Sequence, residues 1–486
     1  MITMLSQLTP TLLWAHFQTL CNTPRPSGHE ATIRSKLIDW AERRQLQWLT
    51  DDAGNLLIRK PASAGMENRQ SVVLQGHLDI VAQQNEGTGH DFTRDPIRTR
   101  IIDGWVHATG TTLGADNGMG VAAALAVLES DEIAHGPIEA LFTIEEESSM
   151  RGALELQPGW LQSQLMLNLD SEDRGEVYVG CAGGMDVNVQ GQFEQSPLPA
   201  DWQVFQIDIK GLRGGHSGLD IDKGRGNANR LLVRLLIELG KDSALRLVSF
   251  SGGTLRNALP REAHAIIALP AAGTALLTQL ISQLNALYRA ELMGVDEGVV
   301  ISQRTTSASQ ALTSDASSTL LNALNAAPHG VERMSPHFHN VVETSNNLGV
   351  VRLQDGQFEC CLLVRSLRDQ STQVLADRIS SLFTLAGCQV QGENAYPGWT
   401  PNPNSQLLNL FQDVHQQVFS KPAEVKVIHA GLECGIIGAT YPQMDMVSFG
   451  PIIRGAHSPD ERVNIESVAD YWKLLVALLE AVPARV

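Results

Sequence analysis

His77 and Asp79 stand one residue apart, directly after the run Val72-Val73-Leu74-Gln75-Gly76. A short, apolar, β-branched run reads as a buried strand. On an extended chain residues two apart point the same way, so the imidazole and the carboxylate can address one spot. That is the spacing of a metal-ligating histidine whose other ring N–H is taken by a carboxylate behind it. It is also the spacing of a strand end with an ordinary ion pair, and H-x-D alone leaves both readings open.

Similar groups recur down the chain. Asp116 sits in Gly110-Thr111-Thr112-Leu113-Gly114-Ala115-Asp116-Asn117-Gly118-Met119-Gly120, ahead of the apolar helix from Val121. Glycines there let the backbone turn sharply and approach whatever the carboxylate holds; the bland alternative is a helix start with Asp116 or Asn117 as N-cap. The strand Ile138–Ile144 runs into Glu145-Glu146-Glu147, and Leu165–Leu169 runs into Asp170. Three adjacent carboxylates form a solvated face in most proteins, yet here they follow a buried-looking strand, as His77 does. On an extended chain Glu147 would point away from Glu146. His457, in Gly455-Ala456-His457-Ser458-Pro459-Asp460-Glu461, again lies just past a strand. In open α/β sheets ligands bind outside the carboxyl ends of the strands. Strand ends delivering His77/Asp79, Glu146/Glu147 and Asp170 beside Asp116 therefore form one constellation suited to a cation.

The elements needed to position these groups are legible. Helical spacing marks Ala31–Arg44 and roughly 466–482, while strands are expected at 55–59, 71–75, 425–428 and 444–450. After Gly183-Gly184 the character changes. From about 187 to 395, strand-like pieces (204–209, 245–250, 265–269) alternate with amphipathic helices near 227–240, 273–293, 315–326 and 372–386. This pattern suggests helices layered on an antiparallel sheet, with a hint of two related halves meeting near 310. Within it, His216 lies in a glycine loop, Gly214-Gly215-His216-Ser217-Gly218. Arg256-Asn257 and Arg365 close strands with groups able to bind a carboxylate, or to stand as ordinary surface residues.

Composition narrows the class. At 486 residues the chain is long for one core, and 43% hydrophobic with 18% charged residues is a soluble globular balance. A net charge of −17 speaks against nucleic-acid and anionic-membrane partners. No apolar run approaches the ~18 residues of a membrane span, and the opening residues lack the basic and cleavage features of a leader. Six scattered cysteines without framework spacing fit reduced thiols in a cytoplasmic protein.

With these residues in view, the chain resembles the aminoacyl-histidine dipeptidases (peptidase D, carnosinase-like), a branch of the co-catalytic zinc peptidases that include peptidase T and carboxypeptidase G. The resemblance runs along nearly the whole chain through G-H-L-D (76–79), G-T-T-L-G-A-D-N-G (110–118), E-E (146–147), N-L-D-S-E (168–172), G-C-A-G-G (180–184), G-G-H-S-G (214–218), G-G-T-L-R-N-A (252–258), H-A-G-L-E-C-G (429–435) and A-H-S-P-D-E (456–461). It implies an α/β catalytic domain with a mainly parallel sheet flanked by helices, in two pieces, 1–186 and 396–486. An inserted α+β lid and dimerisation domain, 187–395, would interrupt it. It implies two zinc ions per subunit, with cobalt or manganese as alternatives. His77 and Asp170 would hold one ion, Glu147 and His457 the other, and Asp116 would bridge them. Asp79 would orient His77, and Glu146 would be the general base. His216 and Asn257 would serve a neighbouring subunit's site in a homodimer, while Arg365 and Gly431 would bind the dipeptide. Glu145, Ser148 and Ser149 depart from the Thr, Ala and Gly often found in relatives. No implied ligand is replaced.

The expected activity is hydrolysis of Xaa-His dipeptides, β-alanyl-histidine included. An N-acyl-amino-acid amidohydrolase or carboxypeptidase on the same machinery is the alternative. A catalytically silent metal- or peptide-binding protein is the third reading, and Glu146 and Asp79 argue against it, because binding alone needs no general base.

Overall fold

The strand Val72–His77 is buried at every position, as a strand covered by helices on both faces must be. It lies in an eight-stranded sheet of order Gln47–Thr50, Leu56–Lys60, Ile138–Thr143, Val72–His77, Leu165–Asn168, Asp445–Ser448, Glu176–Cys181, Glu424–Ile428. The four central strands are parallel, and pairings turn antiparallel on either side. The expected α/β fold is present, with a parallel centre and mixed edges. Register carries the consequence for the site: His77 pairs with Thr143, and Gln75 with Asn168. Glu145–Glu147 and Asp170 therefore emerge at the same edge as His77.

The computed structural model describes residues 5–485; residues 1–4, part of the stretch read above for a leader, and residue 486 lie outside them. The chain divides into two compact units, Met1–Gly180 with Pro401–Val427 and Leu432–Val486, and Cys181–Thr400 with Ile428–Gly431. The sequence puts the junctions at 186/187 and 395/396. The second unit is wider because Gly183–Gln192 pairs along its length with Gln357–Ser366 and also with Gln389–Tyr396. It draws in Ile428–Gly431 because the Ala182 N–H donates to the carbonyls of Ile428 and Ala430.

In the first unit, helices Thr11–Cys21, Ala31–Arg43, Ala115–Glu129, Gln406–Phe419 and Ile465–Ala481 share one apolar core with the sheet. Ala115–Glu129 is buried almost all round. Between Asn117 and Glu129 it carries no polar side chain.

The second unit holds a nine-stranded sheet whose pairings are antiparallel. Two halves are plain in it. One runs Trp202–Lys210, Ala228–Asp242, Arg246–Gly252, Ala263–Pro270, Gly273–Glu291, Val300–Thr306. The other begins earlier, at Gly183–Gln192, and resumes with Ser314–Ala326, Val342–Gln354, Gln357–Ser366, Asp369–Leu385, Gln389–Tyr396. Each is strand-helix-strand-strand-helix-strand. Numbering the strands within each half, the sheet reads 4-1-3-2 and then 2-3-1-4, an internal two-fold arrangement. The ribbon pairing Gln195–Pro197 with Gln310–Leu312 marks where the first half is inserted into the second. So the halves expected to meet near 310 are nested rather than consecutive.

Among the described residues no helix is long and apolar enough to cross a membrane. Cys21, Cys360, Cys361 and Cys388 are free thiols.

Candidate metal centre

Asp116 turns its two carboxylate oxygens to two different histidines. Oδ1 lies 3.2 Å from His77 Nε2, and Oδ2 lies 3.3 Å from His457 Nε2. Asp170 Oδ1 stands 3.5 Å from His77 Nε2, and Glu147 Oε2 2.9 Å from His457 Nε2. Among the described residues, three groups have ligand atoms mutually within 4.8 Å: His77/Asp116/Asp170, Asp116/Glu147/His457 and His77/Glu146/Glu147. The first two share Asp116. Glu146 belongs to neither of those, though its Oε2 is 3.9 Å from His77 Nε2.

Asp79 stands behind this set and is fully buried. Its Oδ1 is 3.4 Å from His77 Nδ1. The carboxylate also accepts the Ser27 hydroxyl (2.7 Å) and the backbone N–H groups of Glu146 (3.0 Å) and Glu147 (3.1 Å). These contacts exist because Glu146–Ser149 is a helical turn, entered through Glu145 in the left-handed region (φ 52°). This corrects the expectation of an extended chain: the first N–H groups of a helix point outward without partners, and Asp79 takes two of them. Glu145 leaves the cluster altogether, held by Arg151 at 2.5 Å.

The charges are unbalanced. Four carboxylates (Asp116, Glu146, Glu147, Asp170) face two imidazoles. Burial, then the Asp116 charge, pushes Glu147 up to about 7. Burial raises Glu146 well above the carboxylate range, with Glu147 and Asp170 adding to it against His77. Asp170 is raised by burial and by Asp116. Burial would neutralise His77, but Asp170, Asp116 and Asp79 outweigh it and hold it well above its usual value. Burial works against Asp116 too, yet hydrogen bonds to His457 and His77 keep its pKa low. His457 is lifted to about 11 by its hydrogen bonds to Asp116 and Glu147. Protons are thus retained where cations would relieve the repulsion. The buried Glu147 Oε1 has no hydrogen-bond partner. Imidazole and carboxylate donors without thiolate fit a catalytic zinc-type centre rather than a closed structural one. The residues present fit divalent metal.

In the second unit, His216, Asn257, Arg365 and Gly431 gather through their immediate neighbours. Arg365 is buried. Its Nε donates to Ser217 Oγ (3.2 Å), its Nη1 donates to the Tyr396 hydroxyl (2.8 Å), and its Nη2 stands 3.5 Å from His216 Nε2. The Ser217 N–H donates to the Asn257 carbonyl (2.9 Å). Gly218 lies so close to the His429 carbonyl that a Cβ would fall 1.9 Å from it, which brings the segment ending at Gly431 against the His216 loop. His216 Nδ1 accepts the N–H groups of Gly218 (3.2 Å) and Leu219 (3.1 Å). In the neutral imidazole this makes Nε2 the donor. His429, bonded to Ser345 Oγ at 2.7 Å, is pushed down to about 3 by burial and by Arg365 and His216.

Comparison with known proteins settles the family. The model of peptidase family M20/M25/M40 matches residues 73–481. The chain belongs to this peptidase family. It is 46% identical over 482 residues to the cytosol non-specific dipeptidase of Escherichia coli strain K12, covering 99% of both chains. Among solved structures, the aminoacylhistidine dipeptidase of Vibrio alginolyticus matches with a TM-score of 0.89 at 45% identity over 99% of each chain. An aminopeptidase of Bacillus cereus shares the fold at TM-score 0.56 and 17% identity, covering 98% of this chain and 99% of that one. The protein is a metallopeptidase.

Several residues that shape this peptidase's centre escaped sequence reasoning. Glu461 accepts the N–H groups of Leu113 (2.7 Å), Gly114 (3.0 Å), Ala115 (2.7 Å) and Asp116 (3.3 Å). One buried carboxylate thus holds the whole turn carrying Asp116; the spacing His457-x-x-x-Glu461 was its only signal. Buried Arg25 donates to the carbonyls of Leu78 (2.7 Å), Asp79 (3.2 Å) and Gly114 (2.7 Å), tying the His77 strand to that turn. Of the glycines around Asp116, Gly118 makes room for this arginine and Gly114 for Ile80 and the arginine. A Cβ at Gly118 would meet Arg25 Nη2 at 2.6 Å, and Gly114 is left-handed (φ 71°) with Ile80 Cγ2 2.6 Å from its would-be Cβ. Asp116 and Asn117 have non-helical backbone at a kink where the helix starts, and the Asn117 side chain does not cap it: Nδ2 donates to the Leu169 carbonyl (2.7 Å) and the buried Oδ1 has no hydrogen-bond partner. Fully buried Glu433 accepts from Gln75 Nε2 and Thr143 Oγ1, both at 2.6 Å, and Gln75 is bonded in turn to Asn168. That network joins the three strands that end in site residues.

Proposed function

We propose that this metallopeptidase is a dipeptidase that hydrolyses Xaa-His dipeptides, β-alanyl-histidine among them, with two zinc ions per subunit and Glu146 as general base. The observation that carries the reading is the pair of sets sharing Asp116, with Glu146 beside them and outside both. His77 and Asp170 would hold one ion, and Glu147 and His457 the other. Bound there, the metals would polarise the scissile carbonyl and lower the pKa of water; cobalt or manganese suits the same donors. Glu146 takes the proton of the attacking water and delivers it to the leaving amine. Asp79 fixes His77 and, through two backbone N–H groups, the turn that carries Glu146.

We assign substrate recognition to the second unit, which would act as lid and dimerisation surface of a homodimer. Arg365 receives the α-carboxylate of the dipeptide, Asn257 and the Gly431 backbone line the same place, and His216 Nε2–H donates to the oxyanion. His216 and Arg365 stand 3.5 Å apart in one chain, so a site that takes one takes the other. The Escherichia coli relative is a cytosol enzyme, and we place this one in the cytoplasm as well.

A carboxylate-reading arginine would equally serve an N-acyl-amino-acid amidohydrolase or a carboxypeptidase. Measuring kcat/KM of the zinc-loaded enzyme for Xaa-His dipeptides, other dipeptides, tripeptides and acyl-amino acids separates these readings. Dipeptides should lead, with Xaa-His among the best. Acyl-amino acids turned over fastest would overturn the assignment, and equal rates for all dipeptides would remove the histidine preference while leaving the dipeptidase.

A further inference from the structure

The strand Gly183–Gln192 lies between Gln357–Ser366 and Gln389–Tyr396, and at one level of the ladder Gly184 pairs with Arg365 on one side and Tyr396 on the other. Directly paired residues of an antiparallel ladder share a face. Neighbouring strands are about 4.8 Å apart, so Arg365 and Tyr396 are separated by about 10 Å of sheet and meet only if a long side chain crosses the middle strand. Tyr396 does so. A Cβ on Gly184 would lie 2.7 Å from its hydroxyl oxygen, 2.8 Å from Cζ and 2.9 Å from Cε1, so the ring occupies the place a side chain would fill. The hydroxyl then accepts from Arg365 Nη1 at 2.8 Å. This gives the glycine pair at the end of G-C-A-G-G a physical reason: the neighbouring Gly183 likewise admits the backbone of Tyr396–Gly398, whose nearest atoms would be 2.5 Å from its Cβ.

A guanidinium has five N–H donors in one plane. Ser217 takes that of Nε, and Tyr396 takes one on Nη1. Two fixed acceptors on different edges stop the plane from rotating. The N–H groups left are one on Nη1 and both on Nη2, the end that faces His216 Nε2. Both acceptors are hydroxyls, so the positive charge of this buried group is not cancelled by them. A buried cation presenting two parallel N–H groups is matched by a carboxylate bound through both oxygens.

We infer that Tyr396, laid across Gly184, is a positioning residue that sets the Arg365 guanidinium edge for the substrate's α-carboxylate. The inference rests on the reading of Arg365 given above. Its test compares alanyl-histidine with alanyl-histidinamide, which lacks the carboxylate, in the zinc-loaded full-length enzyme. Tyr396→Phe keeps the ring and removes only the hydroxyl. It should raise KM for alanyl-histidine roughly tenfold with kcat within about twofold, and leave kcat/KM for the amide unchanged. Unaltered KM for alanyl-histidine, or an equal loss on acid and amide, would overturn the inference. Arg365→Ala tells that failure from failure of the underlying reading. If its loss also falls equally on acid and amide, Arg365 does not read the carboxylate. If its loss is confined to the acid while Tyr396→Phe is silent or unselective, the reading stands and Tyr396 is not what sets the guanidinium.

Discussion

The same oxygen of Asp79, Oδ1, accepts the backbone N–H of Glu146 at 3.0 Å and faces His77 Nδ1 at 3.4 Å. One buried acid thus sets the orientation of an imidazole facing the metal centre and the position of the carboxyl proposed to move the proton. The turn Glu146–Ser149 has its amino end on that acid, and with the Glu147 N–H also bound (3.1 Å) the turn cannot rotate without breaking both bonds.

Asp79→Asn is therefore expected to damage geometry and catalysis together. An amide can accept from one of the two N–H groups, but its NH2 then opposes the other. Loss of such a supporting partner typically costs 10–100-fold in metal affinity or activity. Metal titration and kcat on the same preparation would show both falling; wild-type values for both would remove Asp79 from the mechanism.

Asp116→Ala should lose more metal than any other single ligand substitution. Its two oxygens face two histidines, whereas His77, Asp170, Glu147 and His457 each belong to one side of the pair. Elemental analysis after dialysis should give well under one ion per chain for Asp116→Ala and about one for the others. A stoichiometry still near two for Asp116→Ala would rule out the bridge.

The strand ends were readable in the sequence because apolar runs closing on His77, Glu145–Glu147 and Asp170 are local patterns, and parallel register then converts local pattern into common position. What escaped was the set of contacts made across long stretches of chain. Glu461 reaches Asp116 over 345 residues, and Gln75 reaches Glu433 over 358. Nothing in either neighbourhood announces the partner. The turn at Glu146 was misjudged because three glutamates have no strong local preference, and the left-handed Glu145 is imposed by its surroundings, Arg151 among them. The nested halves of the second unit were hidden for a related reason: the strand completing the later half precedes the whole of the earlier one.

Metal-free protein should lose stability as pH rises from 7 to 9, above the range in which His329 and His429, pushed down by burial to about 4 and about 3, act the other way. Glu147 and Glu433 are raised from 4.5 to about 7 and Glu172 to about 8, in each case first by burial. Between the unfolded and folded values the native state binds more protons than the unfolded chain, so stability falls with rising pH. His457, raised from 6.5 to about 11, extends the same trend upward. Thermal melts of chelated protein should show Tm dropping by several °C over that range, and saturating zinc should widen the gap between loaded and chelated protein as pH rises. A chelated Tm that is flat or climbs from pH 7 to 9 would contradict these assignments.

His216→Ala is expected to reduce kcat by roughly 10²–10³-fold, the usual loss for one oxyanion donor. Mixing His216→Ala with Glu146→Gln subunits tells where the donor acts. If His216 serves a neighbouring subunit's site, re-associated heterodimers contain one intact site and regain activity. If it serves its own chain, with Arg365 beside it, confirmed subunit exchange yields no gain.

If Glu146 moves the proton without holding the metals, Glu146→Gln separates the two roles. With metal content and single-turnover rate measured on one sample, the variant should keep about two ions per chain and lose on the order of 10²–10⁴-fold in rate. A metal-loaded Glu146→Gln enzyme that turns over dipeptide near the wild-type rate would contradict the account.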